Sequence, residues 1–265
     1  MIKLFASDLD GTLLPDNKVI TPLSIKAIQE IQKHNLHFVI TTGRPLSPYV
    51  LRLIDTCNLK KDNFTVVFNG AMIYQNNKLI YSCPLSNNDI NELENFAANF
   101  NVCTHVFTTD NAIHIKNKNE FSTFVASTNE ILPAYEDYHN LNNDIIKFSI
   151  VAEDKEIRKV IENIPNSFRQ KYNIFRSYNF LLEFVNKDVD KLNAIKQICS
   201  SLNISLDEVM AFGDEENDYN MVKGVGYGVT PRSGRDKLKD VAKLVCDSNN
   251  DDGVAKTILK YFKEI

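Results

Sequence analysis

No stretch of this 265-residue chain approaches the roughly 20 consecutive apolar residues that span a bilayer, which removes membrane pumps from consideration. The amino-terminal run Met1-Ile2-Lys3-Leu4-Phe5-Ala6-Ser7 is too short for a signal peptide and ends in the acid Asp8. Cysteine is scarce: five residues, at 57, 83, 103, 199 and 246, without a CxxC pair. That argues against a zinc site or a disulfide framework, and for reduced thiols in a cytoplasmic protein. An excess of positive charge is also missing. Lys and Arg number 30 against 34 Asp and Glu, a formal net charge of -4. Neither nucleic acid nor an anionic membrane is therefore an expected partner. Internal repeats and low-complexity linkers are absent as well. What remains, at 43% hydrophobic and 24% charged residues, suffices for the core of one large domain or two modest ones.

The first third alternates short apolar strands with helical patterns. Leu4 to Ser7 reads as a strand. Thr21 caps a helix that begins with Pro22 and carries Leu23, Ile25, Ile28 and Ile31. His37 to Thr41 is the next strand, Pro45 to about Cys57 the next helix, and Thr65 to Phe68 another strand. Such spacing implies right-handed crossovers and a parallel sheet. Ala71 to Tyr74 and Leu79 to Ser82 flank Gln75-Asn76-Asn77-Lys78 as a hairpin. Near Pro84 the character changes to a mixed block, with a helix capped by Ser86 and several β-rich segments separated by asparagines. From Asp188 the α/β pattern returns, with a helix over Lys191 to Leu202 and a buried strand over Val209 to Phe212. The expected fold is α/β: a Rossmann-like, doubly wound parallel sheet from residues 1–83 and 188–265, split by an α+β insert over 84–187. Hinges are expected near Ser82-Cys83-Pro84 and Asn186-Lys187-Asp188, where the two patterns meet.

Three segments carry chemistry. Asp8-Leu9-Asp10-Gly11-Thr12-Leu13-Leu14 places two carboxylates at i and i+2 after a strand, on the same side of an extended chain. Val39-Ile40-Thr41-Thr42-Gly43-Arg44-Pro45 ends a strand in hydroxyls before a helix start, where free N–H groups attract anions. Ala211-Phe212-Gly213-Asp214-Glu215-Glu216-Asn217-Asp218 ends another strand in acids. Each alone also reads as a surface turn, a plain helix cap or an acidic helix start. In open α/β sheets, however, ligands bind beyond the carboxyl ends of the strands. If the three strands are neighbours, Asp8, Asp10, Asp214 and Asp218 crowd together there. Like charges about 4 Å apart repel strongly unless a cation sits among them. Mg²⁺ suits a few carboxylates plus waters and a substrate phosphate.

The succession DLDGTLL, TTGR, a late lysine and GDEENDYNM resembles the Cof-type branch of the haloacid dehalogenase superfamily, over essentially the whole chain. The resemblance implies a hydrolase, specifically a magnesium-dependent phosphatase with a type C2 cap domain at 84–187, acting on small phosphomonoesters such as sugar phosphates or phosphorylated cofactors. It implies that Asp8 is the nucleophile and Asp10 the general acid and base. Leu9, Thr42, Gly43, Lys191 and Asn217 would bind the substrate phosphate. Asp8, Asp214 and the main-chain carbonyl of Asp10 would hold the metal, with Asp218 behind them. Lys191, not Lys187, fits the lysine position. Two departures stand out: Leu192 where glycine is usual, and Thr230-Pro231-Arg232-Ser233-Gly234 where a short Gly-Asn-Ala stretch is usual. Asn69-Gly70-Ala71 matches a recurrent segment of the family and equally suits the entry turn of a hairpin. A phosphomutase shares the same motifs, and a non-enzymatic ligand-binding regulator is a third reading. The five histidines, at 34, 37, 105, 114 and 139, show no metal-ligand spacing. Lys116, Lys147, Arg169 and Arg176 could line a cap pocket or stand solvated. Oligomeric state has no signature in the sequence.

Overall fold

The computed structural model describes residues 1–59, 63–135 and 141–264; His139 lies outside the described residues. The first stretch of elements runs β1 (Leu4–Ser7), α1 (Pro22–Lys33), β2 (His37–Thr41), α2 (Pro48–Thr56), β3 (Phe64–Val67), β4 (Met72–Gln75) and β5 (Lys78–Ser82). There follow α3 (Asn87–Ala97), β6 (Cys103–Thr108), β7 (Ile113–Lys116), α4 (Ser122–Thr128), β8 (Ile145–Val151), α5 (Asp154–Glu162), α6 (Asn166–Lys171), β9 (Tyr172–Tyr178) and β10 (Leu181–Asn186). The last stretch holds α7 (Lys191–Leu202), β11 (Val209–Phe212), α8 (Tyr219–Gly224), β12 (Tyr227–Pro231), α9 (Asp236–Lys239), β13 (Leu244–Cys246) and α10 (Gly253–Glu264). The chain divides into two compact units. One comprises Met1–Gly43, Val50–Tyr81 and Asp190–Ile265; the other comprises Arg44–Tyr49 and Ser82–Val189. Among the described residues no helix is long and apolar enough to cross a membrane.

The first unit is built on an eight-stranded sheet in the order β13-β12-β11-β1-β2-β3-β4-β5. From β13 through β3 every pairing is parallel; β4 turns back antiparallel on β3. β1 is fully buried and lies between β2 and β11, so Ser7 is paired to Ile40 on one side and Phe212 on the other. On one face Leu4, Ala6, Val39, Val66, Val209 and Ala211 meet Ala194, Ile195 and Ile198 of α7 and Met221 of α8. The opposite face presents Phe5 to Tyr261 and Phe262 of α10, which packs beside α1. Helices on both faces of a mostly parallel sheet make the doubly wound fold. Thr21 caps α1, its hydroxyl accepting from the Ser24 N–H, and Asn76 and Asn77 adopt the positive φ values of 51° and 58° that a two-residue hairpin requires.

The helix expected from Pro45 starts instead at Pro48. A helix begun at Pro45 would put Pro48 where the first intrahelical N–H donor is needed, and proline has none. Four residues therefore separate Gly43 from the helix, and a helix N-terminus directly after Gly43 is not available to bind an anion. The short α4 and α6 were not legible in the sequence, since one or two turns carry too little periodicity.

The second unit carries a five-stranded antiparallel sheet, β7-β6-β8-β10-β9. Val106, Phe148, Ile150, Leu182 and Phe184 on one face pack with Ile90 and Leu93 of α3, Ile157 and Val160 of α5 and Phe168 of α6. Ser86 and Asp89 form a capping box at the start of α3, and Asp89 Oδ1 also accepts from the Tyr172 hydroxyl at 2.9 Å. Burial opposes the Asp89 carboxylate, but hydrogen bonds from Lys171, Ser86 and Tyr172 outweigh it and hold its pKa down to about 2.

Leu192, the residue that replaces a glycine usual in the resembled family, packs against the core between α7 and α8. It fits because residue 224 is glycine: a Cβ there would lie 2.4 Å from Leu192 Cδ2. The bulk added at one helix is matched by bulk removed from the other.

Two outcomes follow from this packing. Gly224→Ala should make the end of the Leu192 side chain move at a cost below about 1 kcal/mol, because that end is flexible and only partly buried, and Leu192→Ala in the same chain should remove that cost. Denaturant unfolding of the two single variants and the double variant measures the coupling; strictly additive losses would refute the contact. Asp89→Asn should cost about 1–2 kcal/mol at pH 7. A carboxyl with a depressed folded pKa stabilises above its ordinary value of 3.8, and that contribution is lost as pH falls through about 2. The gap between wild type and variant should therefore close over that window.

Candidate active site

The site grows from the end of β1. The Asp8 N–H donates to the Phe212 carbonyl at 3.0 Å, which extends the β1–β11 ladder by one residue and fixes Asp8 at the carboxyl edge of the sheet. The chain then wraps round Leu9, whose carbonyl accepts from Thr12 and Leu14, while its side chain is fully buried. Gly11 makes this turn possible. Its φ is +82°, and a Cβ would lie 2.4 Å from Asp214 Oδ2, so a side chain would push Asp214 away. Thr12 follows with its hydroxyl donating to Asp214 Oδ1 at 2.6 Å. One loop thereby positions both Asp8 and Asp214.

Lys191 opens α7 and is completely buried. Asp190 caps the helix, accepting from the N–H groups of Leu192 and Asn193, and is itself held by the Asn220 amide. From this fixed start Lys191 Nζ donates to Asp8 Oδ1 and to Asp218 Oδ1, each at 2.6 Å. Asp218 uses its other oxygen to accept from the N–H groups of Asp214 and Glu215, at 3.1 and 3.2 Å. It is a clamp that joins the lysine to the turn carrying Asp214. Asp8, Asp214 and Asp218 offer carboxylate oxygens that all lie within 4.8 Å of one another.

Charge in this group is out of balance. Burial first, then the carboxylates of Asp218, Asp214 and Asp10, push Asp8 well above the usual carboxylate range, against the pull of Lys191. Asp214 is raised to about 7, by burial and then by Asp218, with Thr12 and Lys191 opposing. Burial likewise disfavours a charged Lys191, but Asp218 and Asp8 overcome it and hold the ammonium above its ordinary value. Three buried acids around a single lysine leave room for more positive charge. Oxygen donors this close together fit a hard divalent cation.

Not every expected acid joins the group. The Asp10 carboxylate is 3.1 Å from Lys18 Nζ, in a partly exposed pair, and is not part of the three-carboxylate cluster. The turn bearing Lys18 is bound to a distant one, with Asp16 accepting from the side chains of Asn249 and Asn250. Thr42 is buried; its N–H donates to the Val66 carbonyl, and its own carbonyl accepts from the Asn69 N–H. Asn217 donates through Nδ2 to Asn69 Oδ1 at 2.8 Å. The departing segment at 230–234 also reaches the site, since the Arg235 N–H just beyond it donates to the Asp214 carbonyl at 2.9 Å.

In the second unit, His105 is fully buried with neither ring nitrogen hydrogen-bonded. Burial, then the Lys147 ammonium, lowers its pKa to about 3, so it is neutral. Lys147 pairs with Glu183 and is not solvated. The contacts of Thr12, Lys18 and Asn69 are not evident from the sequence. Of these, Thr12 and Asn69 sit inside the Asp8–Leu14 and Asn69–Ala71 motifs, whereas Lys18 carries no local signal.

Comparison with known proteins identifies the family. Residues 5–258 match the family model described as haloacid dehalogenase-like hydrolase. A Streptococcus pyogenes protein named provisionally as a phosphatase is 35% identical over 268 residues, 98% of each chain. The 5-amino-6-(5-phospho-D-ribitylamino)uracil phosphatase YcsE of Bacillus subtilis is 28% identical over 263 residues, 97% of this chain and 94% of its own. The fold matches the crystal structure of a haloacid dehalogenase-like hydrolase from Bacteroides thetaiotaomicron with a TM-score of 0.87 at 24% identity, covering 99% of this chain and 100% of that one. With a family match that spans nearly every element and a relative this similar over its full length, the chain belongs to the haloacid dehalogenase-like hydrolases.

Proposed function

We propose that the chain is a magnesium-dependent phosphatase that hydrolyses small phosphomonoesters through a phosphorylated Asp8. The observation that carries this reading is the buried contact between Asp8 and Lys191 beside Asp214 and Asp218. A carboxylate can attack a phosphate only where nearby positive charge offsets their repulsion, and this group is built to gather such charge. The names of the Streptococcus and Bacillus relatives support the same activity.

In the proposed reaction a carboxylate oxygen of Asp8 attacks phosphorus. A phosphorus–oxygen bond to Asp8 forms while the bond to the leaving oxygen breaks, and the leaving oxygen takes the proton of an Asp10 carboxyl that has left its pairing with Lys18 and been protonated. Asp10, now a carboxylate, removes a proton from water, whose oxygen attacks the phosphorus of the acyl phosphate. The bond to Asp8 breaks, inorganic phosphate leaves and both acids return to their starting states. Lys191, the Thr42 hydroxyl, the Leu9 and Gly43 amides and the Asn217 side chain donate to phosphoryl oxygens. Asp218 holds Lys191 and the Asp214 turn in place. Magnesium bound by Asp8, Asp214 and the Asp10 carbonyl would supply charge that Lys191 alone does not, drawing phosphoryl oxygens toward Asp8. Substrates are proposed among sugar phosphates and phosphorylated cofactors; the phosphoribityl group in the name of the Bacillus relative belongs to this class.

Excess chelator should abolish phosphate release from a panel of small phosphomonoesters, and added Mg²⁺ should restore it. Full activity in chelator would sink the metal requirement. Equal amounts of free phosphate and alcohol would mark hydrolysis, whereas transfer without free phosphate would mark a phosphomutase. Asp8→Asn keeps the shape but supplies a poor nucleophile, and should lower kcat by several powers of ten with the fold intact by circular dichroism. A variant that kept a tenth of the wild-type rate would remove Asp8 from the nucleophile's role.

A further inference from the structure

The main chain after β3 is strained in a way that the proposed chemistry leaves unexplained. Phe68, Asn69 and Gly70 all have positive φ, at 50°, 59° and 105°. Asparagine tolerates that region, but a buried phenylalanine rarely enters it. Strain of this kind persists where the surroundings over-determine the chain, and it gathers at functional sites.

What the strained turn presents is Asn69. Its N–H donates to the Thr42 carbonyl at 2.9 Å, and its Oδ1 accepts from Asn217 Nδ2 at 2.8 Å. Its side chain also lies against the bare face of Gly43, where a Cβ would come within 3.0 Å of Oδ1 and 3.4 Å of Nδ2. Asn69 is only 6% exposed. Segments around residues 42, 69 and 217, far apart in sequence, therefore meet on one buried amide. A plain hairpin-entry turn has no need of either outside contact.

We propose that Asn69 is a positioning residue for phosphoryl binding, which holds the Asn217 amide and the Thr42–Gly43 turn in a single register. This rests on the phosphatase reading, in which Thr42, Gly43 and Asn217 bind the phosphoryl group. Asn69 acts through them. Its side chain is the working part, and the left-handed backbone is what aims it.

Asn69→Gly separates the two, because glycine adopts positive φ freely and removes only the side chain. Expected are a cooperatively folded protein by circular dichroism and a fall of about 10- to 100-fold in kcat/KM for an aryl phosphate, the range found when a supporting hydrogen bond to a site residue is lost. The inhibition constant of inorganic phosphate should rise with it, a change that a purely structural role would not produce. Asn69→Gly combined with Asn217→Ala should lose less than the product of the two single losses, since the Asn69–Asn217 contact is removed by both, while the loosened Gly43 side adds its own part. Gly43→Ala, which pushes a methyl group onto the Asn69 side chain, should weaken phosphate inhibition in the same way. Wild-type kinetics and phosphate inhibition in a folded Asn69→Gly variant, or losses that multiply in the double variant, would overturn the inference while leaving the phosphatase reading intact. A wild-type protein that releases no phosphate from any ester would overturn that reading and this inference with it.

Discussion

The interaction on which the site depends is the buried ammonium of Lys191 between Asp8 and Asp218. Removing an ion from water costs several kcal/mol even after the protein relaxes, and only close opposite charges with good geometry repay it. Lys191 has two such partners at 2.6 Å and no exposure at all. Each neighbouring feature serves this contact. Asp190 fixes the first turn of α7, and Asp218 ties the lysine to the Asp214 turn. With one ammonium for three carboxylates, the group stays short of positive charge. That shortage suits a cation and a phosphoryl group at the same place.

Topology makes the contact possible. β1 lies between β2 and β11, so residues near 8, 42 and 214 emerge from neighbouring strand ends although some 200 residues separate the first from the last. Gly11 allows Asp214 to approach the first loop, and Thr12 binds it there. The acids are thus brought together by strand order, and their orientations are then set by short-range hydrogen bonds from Thr12, Lys191 and the amides that Asp218 caps.

Much of this is legible in the sequence alone. The span Lys191–Leu202 followed from helical periodicity, and the hairpin at Asn76-Asn77 from its turn chemistry. The parallel sheet followed from the strand–helix–strand spacing; with its strands adjacent, four acids were expected together at their ends, and Asp8, Asp214 and Asp218 gather there while the Asp10 carboxylate does not. Other features had no local trace. The start of α2 turned on which of two prolines leads a helix. The pairing of Asp10 with Lys18 depends on a turn anchored by Asn249 and Asn250, more than 230 residues away. Leu192 looked anomalous until Gly224 was found against it, and Asn69 looked like a turn residue until Asn217 and Gly43 were found on its side chain. Each of these is a pairwise complement between distant positions, which no window of sequence contains.

The dependence on Lys191 can be measured without substrate or metal. Equilibrium unfolding in metal-free buffer at neutral pH would compare wild type, Lys191→Met and the double variant Lys191→Met/Asp218→Asn. Loss of the ammonium should cost about 3–5 kcal/mol, because it leaves two buried carboxylates uncompensated, and removing the charge of Asp218 as well should recover a substantial part. A Lys191→Met protein as stable as wild type would contradict the account, since the buried ammonium would then not be what holds Asp8 and Asp218 together.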